Sequence, residues 1–372
     1  MTTRRWTING RFLSQPITGV QRYAEEITRA LDALKADGAE GAQDLELEIV
    51  CPPTARPLLG LRATPIRIVG SGGGHAWEQT VLPRAVRGGL LSLGNSGPIA
   101  KRRQIVCIHD MNTRLTPQSY SAPFRLFYRA LLPALGARAA RIATVSRFSA
   151  AQIARFGVAP AEKIVVIPNG ADHTRRWAPE MTPVVAPACD GAAVVMLGSV
   201  APHKNLGIVL GLAGDLSAHG VHVVVAGGGD ARVFQTSGAA AVDGAVTYLG
   251  RVSNGELAAL LSNALCLAFP SLTEGFGLPP VEAMAMGCPV VSSNGGSLPE
   301  VCGDAALYAA PHDAKAWLAA ILSLKRDAGL RAALIERGRA QAQRYVWAAS
   351  ARRYLDEMSV IDNGDARRVH AC

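Results

Sequence analysis

Short apolar runs recur along the chain, separated by longer segments of helical period. Residues 45–51, 66–69, 104–108, 141–145 and 163–167 read as strands in the first half. The series continues at 194–197, 222–226, 246–250, 264–269 and 290–291. Runs without polar alternation suit strands buried on both faces, as in a parallel sheet. Between them, Val20, Tyr23, Ala24, Ile27 and Leu31 repeat at three- and four-residue steps and predict an amphipathic helix. Residues 119–135 carry aromatic and basic side chains on the same period: Phe124, Leu126, Phe127, Leu131 and Leu132 read mostly as core, while Arg125, Arg129 and Arg138 could instead form a membrane-facing basic surface. A helix follows strand 246–250 at 254–262, and two more are predicted at 313–325 and 329–344. Such β/α alternation implies parallel sheets joined by right-handed crossovers. The proline-bearing stretch 178–190 interrupts the pattern and reads as a linker. It divides the chain into a first domain (1–178), a second (192–345), and a helix and tail (346–372) expected to cross back to the first.

The densest candidate chemistry follows the run 264–269. A loop carries Glu274, Gly275, Phe276 and Gly277, and then Pro279 and Pro280 stand where prolines suit a helix start. The predicted helix 281–286 ends at Gly287. Two carboxylates, Glu274 and Glu282, thus flank a glycine loop at a strand-to-helix switch. Backbone N–H groups at such a helix start favour an anionic or polyhydroxy ligand, and glycines let it come close. Carboxylates accept hydroxyl hydrogens, though two solvated glutamates on an ordinary connection would look the same.

Three further positions have the same ambiguity. Lys204 follows the strand 194–197 and could hold a diphosphate as a point charge, although a lone lysine there is usually a solvated loop residue. His109 and Asp110 stand at the carboxyl end of strand 104–108, where open α/β sheets bind ligands. Gly19 sits at the junction of a loop and the first helix.

Composition narrows the classes. At 372 residues the chain is long enough for two domains. No apolar run reaches the length of a membrane span, and no signal peptide opens the chain. Seven cysteines are scattered without a C-x-x-C pair, which suits reduced thiols and a cytoplasmic location. Residues 1–180 carry 24 Lys/Arg against 13 Asp/Glu, so the net charge of +9 belongs to the first half. A basic domain without a span suggests an acidic partner such as a phosphorylated lipid or an anionic membrane face. No aromatic-rich RNA-binding signature accompanies the charge, so no nucleic-acid partner is expected.

The string EGFGLPPVE at 274–282 resembles the donor-site signature of the retaining family-four glycosyltransferases, Glu-x7-Glu. Thr18–Tyr23, the Ile-His-Asp at 108–110 and the Val-Ser-x-Phe-Ser at 145–149 are similar to further segments of that family. The resemblance covers residues 8–358 and implies the GT-B architecture, two Rossmann-like domains facing across a central cleft. It implies that Glu274 contacts the transferred sugar, Glu282 holds the nucleotide ribose, and His109 faces the reacting sugar. Lys204 and the helix start after Phe276, Gly277 and Leu278 would neutralise the departing diphosphate, and the Gly19 backbone would touch donor phosphates. Val252 is a candidate for a backbone contact to the base. Ser199 stands where many members have an arginine, and His203, just before the lysine, stands in for a second basic residue.

The implied reaction is retaining hexosyl transfer by same-face attack, with no metal and no cofactor beyond the nucleotide-sugar co-substrate. GDP-mannose is the expected donor, and a lipid-linked oligosaccharide of bacterial polysaccharide synthesis is the expected acceptor. Peripheral contact with the inner face of the membrane would follow. A sugar-nucleotide epimerase of the same architecture, or a non-catalytic subunit that binds nucleotide sugar, are the alternatives.

Overall fold

A computed structural model describes residues 3–198, 201–227 and 245–369, with side chains up to residue 364. The chain forms two compact units. The first comprises residues 1–113, 122–170 and 346–372, and the second 114–121 and 171–345.

The first unit is built on a seven-stranded sheet of order β3-β2-β1-β4-β5-β6-β7. Its strands are β1 (Arg4–Asn9), β2 (Leu45–Cys51), β3 (Ile66–Ile68), β4 (Gly89–Ser92), β5 (Gln104–Cys107), β6 (Arg141–Thr144) and β7 (Ile164–Val166). Every pairing is parallel. β1 is a strand that the apolar-run reading passed over: its last four residues are buried, but Thr7 and Asn9 among them are polar, so no apolar run marks it.

The helix Gly19–Ala36 buries Tyr23, Ala24, Ile27 and Leu31, all of the expected stripe except the half-buried Val20. It packs on the long closing helix Trp347–Val369, which contributes Trp347, Ala351, Tyr354, Leu355 and Met358 to the same core. The hydroxyls of Tyr23 and Tyr354 lie 2.9 Å apart in that interface.

The second unit holds a six-stranded sheet of order β10-β9-β8-β11-β12-β13. These are β8 (Ala193–Leu197), β9 (His222–Ala226), β10 (Val246–Gly250), β11 (Cys266–Phe269), β12 (Val290–Ser293) and β13 (Ala306–Ala309), again all parallel. Side chains of β8, β9, β11 and β12 pack with Trp317, Ile321 and Leu334 of the two late helices into one core.

Two expectations are revised. The chain passes from the first unit to the second at residue 170/171, ahead of the stretch read as a linker. That stretch is packed: Val185 is fully buried, the Glu180 N–H donates to the Gly255 carbonyl, and Thr182 donates to Glu256. Its prolines mark an irregular path over the second unit instead of a free connection. In the helix Ala122–Arg138, Leu131 and Leu132 are buried as expected, and Leu135 is buried with them. Phe124, Leu126 and Phe127 are not core, being 41%, 69% and 38% exposed. Only the C-terminal half of that helix is seated. At Gly136 a Cβ would lie 1.7 Å from the Val158 carbonyl, so backbone approaches backbone there.

Candidate donor site

Ligands of open parallel sheets sit outside the carboxyl ends of the strands, where the strand order reverses. In the second sheet that point lies between β8 and β11. Lys204 follows β8 and Glu274 follows β11, so the topology alone brings them to one place. They form an ion pair, Lys204 Nζ to Glu274 Oε1 at 2.7 Å, with 23% and 12% of the side chains exposed. The ammonium also lies 5.6 Å from the centroid of the Phe269 ring.

The loops that carry this pair are fixed from both sides. Lys204 ends a single 3-10 turn whose next residue, Asn205, is left-handed at φ 52°. The Asn205 amide donates to the carbonyls of Pro270 and Pro311, at 3.2 and 2.7 Å. The Leu272 N–H donates to the His203 carbonyl at 2.7 Å. Behind Glu274, its own carbonyl accepts from the N–H and the hydroxyl of Ser297, at 3.2 and 3.1 Å. A Cβ on Gly296 would come within 2.7 Å of the Glu274 backbone, so only glycine fits there at φ 63°.

The helix Leu278–Ala285 starts directly after this loop, with prolines in its first positions and Gly277 as N-cap at φ 91°. No side chain caps it, and because Pro279 and Pro280 carry no N–H, the Gly277 and Leu278 N–H groups are the donors left at that end. Phe276 and Leu278 are 5% and 6% exposed, and Phe276 meets Tyr345 edge-on at 5.2 Å. One turn further, Glu282 is 5% exposed and its Oε1 lies 2.9 Å from His173 Nε2. His173 is fully buried and edge-on to Trp177 at 5.1 Å. Among the described residues, the buried hydroxyls of Ser271 and Thr273 have no hydrogen-bond partner, an unusual cost beside an otherwise well-bonded loop.

The second unit thus assembles Lys204, Glu274, Phe276, Gly277, Leu278 and Glu282. Val252 is half-buried between β10 and the helix Asn254–Asn263. His203, expected to approximate a second cation, is instead 8% exposed and stacked on Tyr120 at 6.2 Å. Ser199 lies outside the described residues.

Two expected residues belong to the first unit. Gly19 opens its helix behind the Thr18/Gln21 capping box, and a Cβ there would meet nothing within 4 Å. His109 is 6% exposed, with Nε2 2.9 Å from the Leu93 carbonyl and its ring edge-on to Tyr23 at 4.8 Å. Burial pushes its pKa down, but the Cys107 sulfur and the Leu93 carbonyl more than offset this, leaving it above the ordinary histidine value.

Sequence reasoning missed His173 and the turn at Gly295–Ser297 that supports Glu274. No local pattern links His173 to a glutamate 109 residues on. The adjacent Gly295 and Gly296 are the local signal from which that turn could have been found.

The comparisons agree with this geometry. Residues 183–341 match the model "Glycosyl transferases group 1", and residues 80–175 match "Glycosyltransferase Family 4". O-antigen chain mannosyltransferase B of Escherichia coli is 34% identical over 269 residues, covering 67% of this chain and 68% of that one. O-antigen chain mannosyltransferase RfbU of Salmonella typhimurium is 30% identical over 230 residues, covering 60% of this chain and 62% of that one. Among solved structures, sucrose-phosphate synthase from Thermosynechococcus elongatus superposes with a TM-score of 0.69 at 18% identity, covering 99% of each chain. Anabaena HepE in complex with UDP gives 0.69 at 16% identity, covering 96% of this chain and 100% of that one. With two Rossmann-like parallel sheets, the two family matches and these relatives, the chain belongs to the family-four glycosyltransferases of GT-B fold and is a hexosyltransferase of the bacterial mannosyltransferase type.

Proposed function

We propose that the chain transfers mannose from GDP-mannose to a lipid-linked saccharide in polysaccharide synthesis, with retention of anomeric configuration and without a metal. The observation that carries this reading is the Lys204–Glu274 pair at the β8/β11 switch, beside the uncapped start of the helix Leu278–Ala285. A diphosphate placed there would draw the Lys204 ammonium off Glu274 and accept from the Gly277 and Leu278 N–H groups. Charge growing on the leaving phosphate is then met by a cation and dipoles already in position, which is where electrostatic catalysis is largest. Glu274, released from the lysine, accepts hydroxyl hydrogens of the transferred sugar. Glu282, held by His173, accepts from the ribose. The leaving phosphate takes the acceptor's proton as the new glycosidic bond forms on the face it vacates, so neither glutamate acts as a nucleophile.

For the first unit we propose that the Gly19 backbone contacts phosphate and that His109 lines the sugar. With Nε2 at the Leu93 carbonyl, His109 serves as a fixed wall and not as a general base. The basic first half supports a peripheral, cytoplasmic contact with an anionic membrane face. The relatives named for O-antigen chains support mannose and a lipid-linked acceptor.

The test is thermal stabilisation by GDP-, UDP- and dTDP-sugars. A ligand at about 100 times its dissociation constant adds roughly 2.7 kcal/mol. GDP-mannose is expected to stabilise the wild type, and Glu282→Ala and His173→Ala to lose the effect. Stabilisation by a different nucleotide sugar would replace the donor. Stabilisation that survives both substitutions would remove the ribose assignment.

A further inference from the structure

The first sheet has its own point of reversal, between β1 and β4, and the chemistry gathered there is not used by the donor reading. β1 ends on Asn9 and β4 on Ser92, whose side chains meet at 3.3 Å. Beside them lies a buried polar network. Glu78 Oε1 accepts from Asn9 Nδ2 at 2.7 Å, Arg11 Nε at 3.0 Å and the Ser96 hydroxyl at 2.9 Å. Arg11 also donates from Nη2 to the Ser96 oxygen at 2.7 Å. The Arg11 and Glu78 side chains are 7% and 1% exposed. Ion pairs this deep are expensive to desolvate, and apolar side chains would fill the space as well or better.

The network does one thing that apolar packing would not. Its outer oxygen, Glu78 Oε2, lies 3.2 Å from His75 Nδ1. A carboxylate at Nδ1 keeps the proton on that nitrogen, sets the ring's orientation and turns Nε2 into an acceptor. His75 is the outermost member, with a third of its side chain exposed. Its ring lies against Phe127 at 4.6 Å and 6.1 Å from Tyr128, and Phe124 lies 4.6 Å from Tyr128. These aromatics stand at the i, i+3 and i+4 positions that continue the buried stripe Leu131–Leu135 beyond the seated half of its helix. Phe124 and Phe127 are nevertheless open to solvent.

We propose that this shelf of Phe124, Phe127 and Tyr128, with His75 at its edge, binds a pyranose ring of the acceptor saccharide. Aromatic faces take the C–H face of a sugar, and one oriented polar group fixes which hydroxyl lies beside it. The His75 Nε2 accepts that hydroxyl's hydrogen. A lipid surface would need neither the fixed imidazole nor the buried acid behind it. Leu126, which faces the opposite side of the helix, takes no part. The proposal rests on the transferase reading, since it gives the acceptor its class.

Saturation-transfer NMR on the full chain tests it, with methyl α-mannoside, methyl α-glucoside, methyl β-galactoside and methyl N-acetyl-β-glucosaminide as probes. At least one glycoside is expected to receive saturation from the wild type. Binding is expected to weaken roughly tenfold in His75→Ala and Phe127→Ala, a loss of about 1.4 kcal/mol. The milder Phe127→Leu separates lost stacking from lost folding and should show an intermediate loss. Nucleotide-sugar stabilisation, to which neither His75 nor Phe127 is assigned, should be unchanged in all three. The proposal is overturned if no glycoside binds the wild type, or if binding ignores these substitutions. It is equally overturned if the variants lose only cosedimentation with phosphatidylglycerol vesicles. If the wild type binds glycosides through the shelf but no nucleotide sugar stabilises it, the transferase reading fails and the shelf stands.

Discussion

Individual side chains decide where charge is placed in this protein. Lys204 is the cation paired with Glu274 at the sheet reversal, and its removal takes away charge stabilisation that would be needed most in the transition state. Lys204→Ala is expected to lower kcat by about 10²–10³-fold with a smaller change in KM. Steady-state transfer assays measure the split, and a change in KM alone would reduce the lysine to ordinary binding. Glu78 offers a test that needs no substrate. Burial pushes its pKa up, but hydrogen bonds from His75, Asn9 and Ser96 and the Arg11 charge outweigh this and hold it below the ordinary 4.5. A depressed carboxylate stabilises the fold above its unfolded pKa and loses that contribution as pH falls through the folded value. Glu78→Gln should therefore cost about 3 kcal/mol at neutral pH, with the gap from wild type closing only below the ordinary carboxylate range. Urea melts across pH 3–8 would show it, and a gap independent of pH would contradict the charge argument.

Elements set how much of this could be read beforehand. The strand–loop–helix at 264–287 was legible because its signals are local: an apolar run, glycines, and prolines at a helix start. The glycine at the N-cap has φ 91°, and a Cβ on it would lie 2.5 Å from Leu298 Cδ2. Gly277→Ala is expected to cost about 1–3 kcal/mol of stability and to weaken nucleotide-sugar binding along with it. Calorimetry and titration of the same variant check both, and a full loss of neither would mean that the loop tolerates a side chain. Other elements were illegible for stated reasons. The helix Ala122–Arg138 has one continuous apolar stripe, and periodicity cannot tell which half finds a sheet beneath it. The His173–Glu282 contact joins residues far apart in sequence, so only the fold brings it about. β1 has apolar side chains only at Trp6 and Ile8 and was absent from the apolar-run reading, yet the first sheet reverses its order between it and β4.

At the scale of the whole molecule, the boundaries of the units differ from the order of the chain. Residues 346–372 belong with the first unit, although the entire second unit precedes them. Trp347 lies against Tyr23 at 5.6 Å, and Tyr354 shares a hydroxyl contact with the same residue. A chain ending at Tyr345 would remove five buried core residues from the first unit and none from the second. It is expected to expose apolar surface in the first unit while the second keeps a cooperative transition. Hydrogen exchange resolved by segment reads this directly, with protection lost across β1 to β7 and kept across β8 to β13. Loss confined to the second unit would reverse the assignment.

The late arrival of that helix also has a consequence in time. On the ribosome, residues 1–170 emerge long before the partner that covers Tyr23 exists. The 175 residues in between take roughly 10–35 s to synthesise at ordinary elongation rates. For that interval the amino-terminal half presents an uncovered apolar helix face to the cell, while the unit made second can already close its own core. Holding chaperones are therefore expected to bind this nascent chain over a defined window, since the half made first is the half finished last.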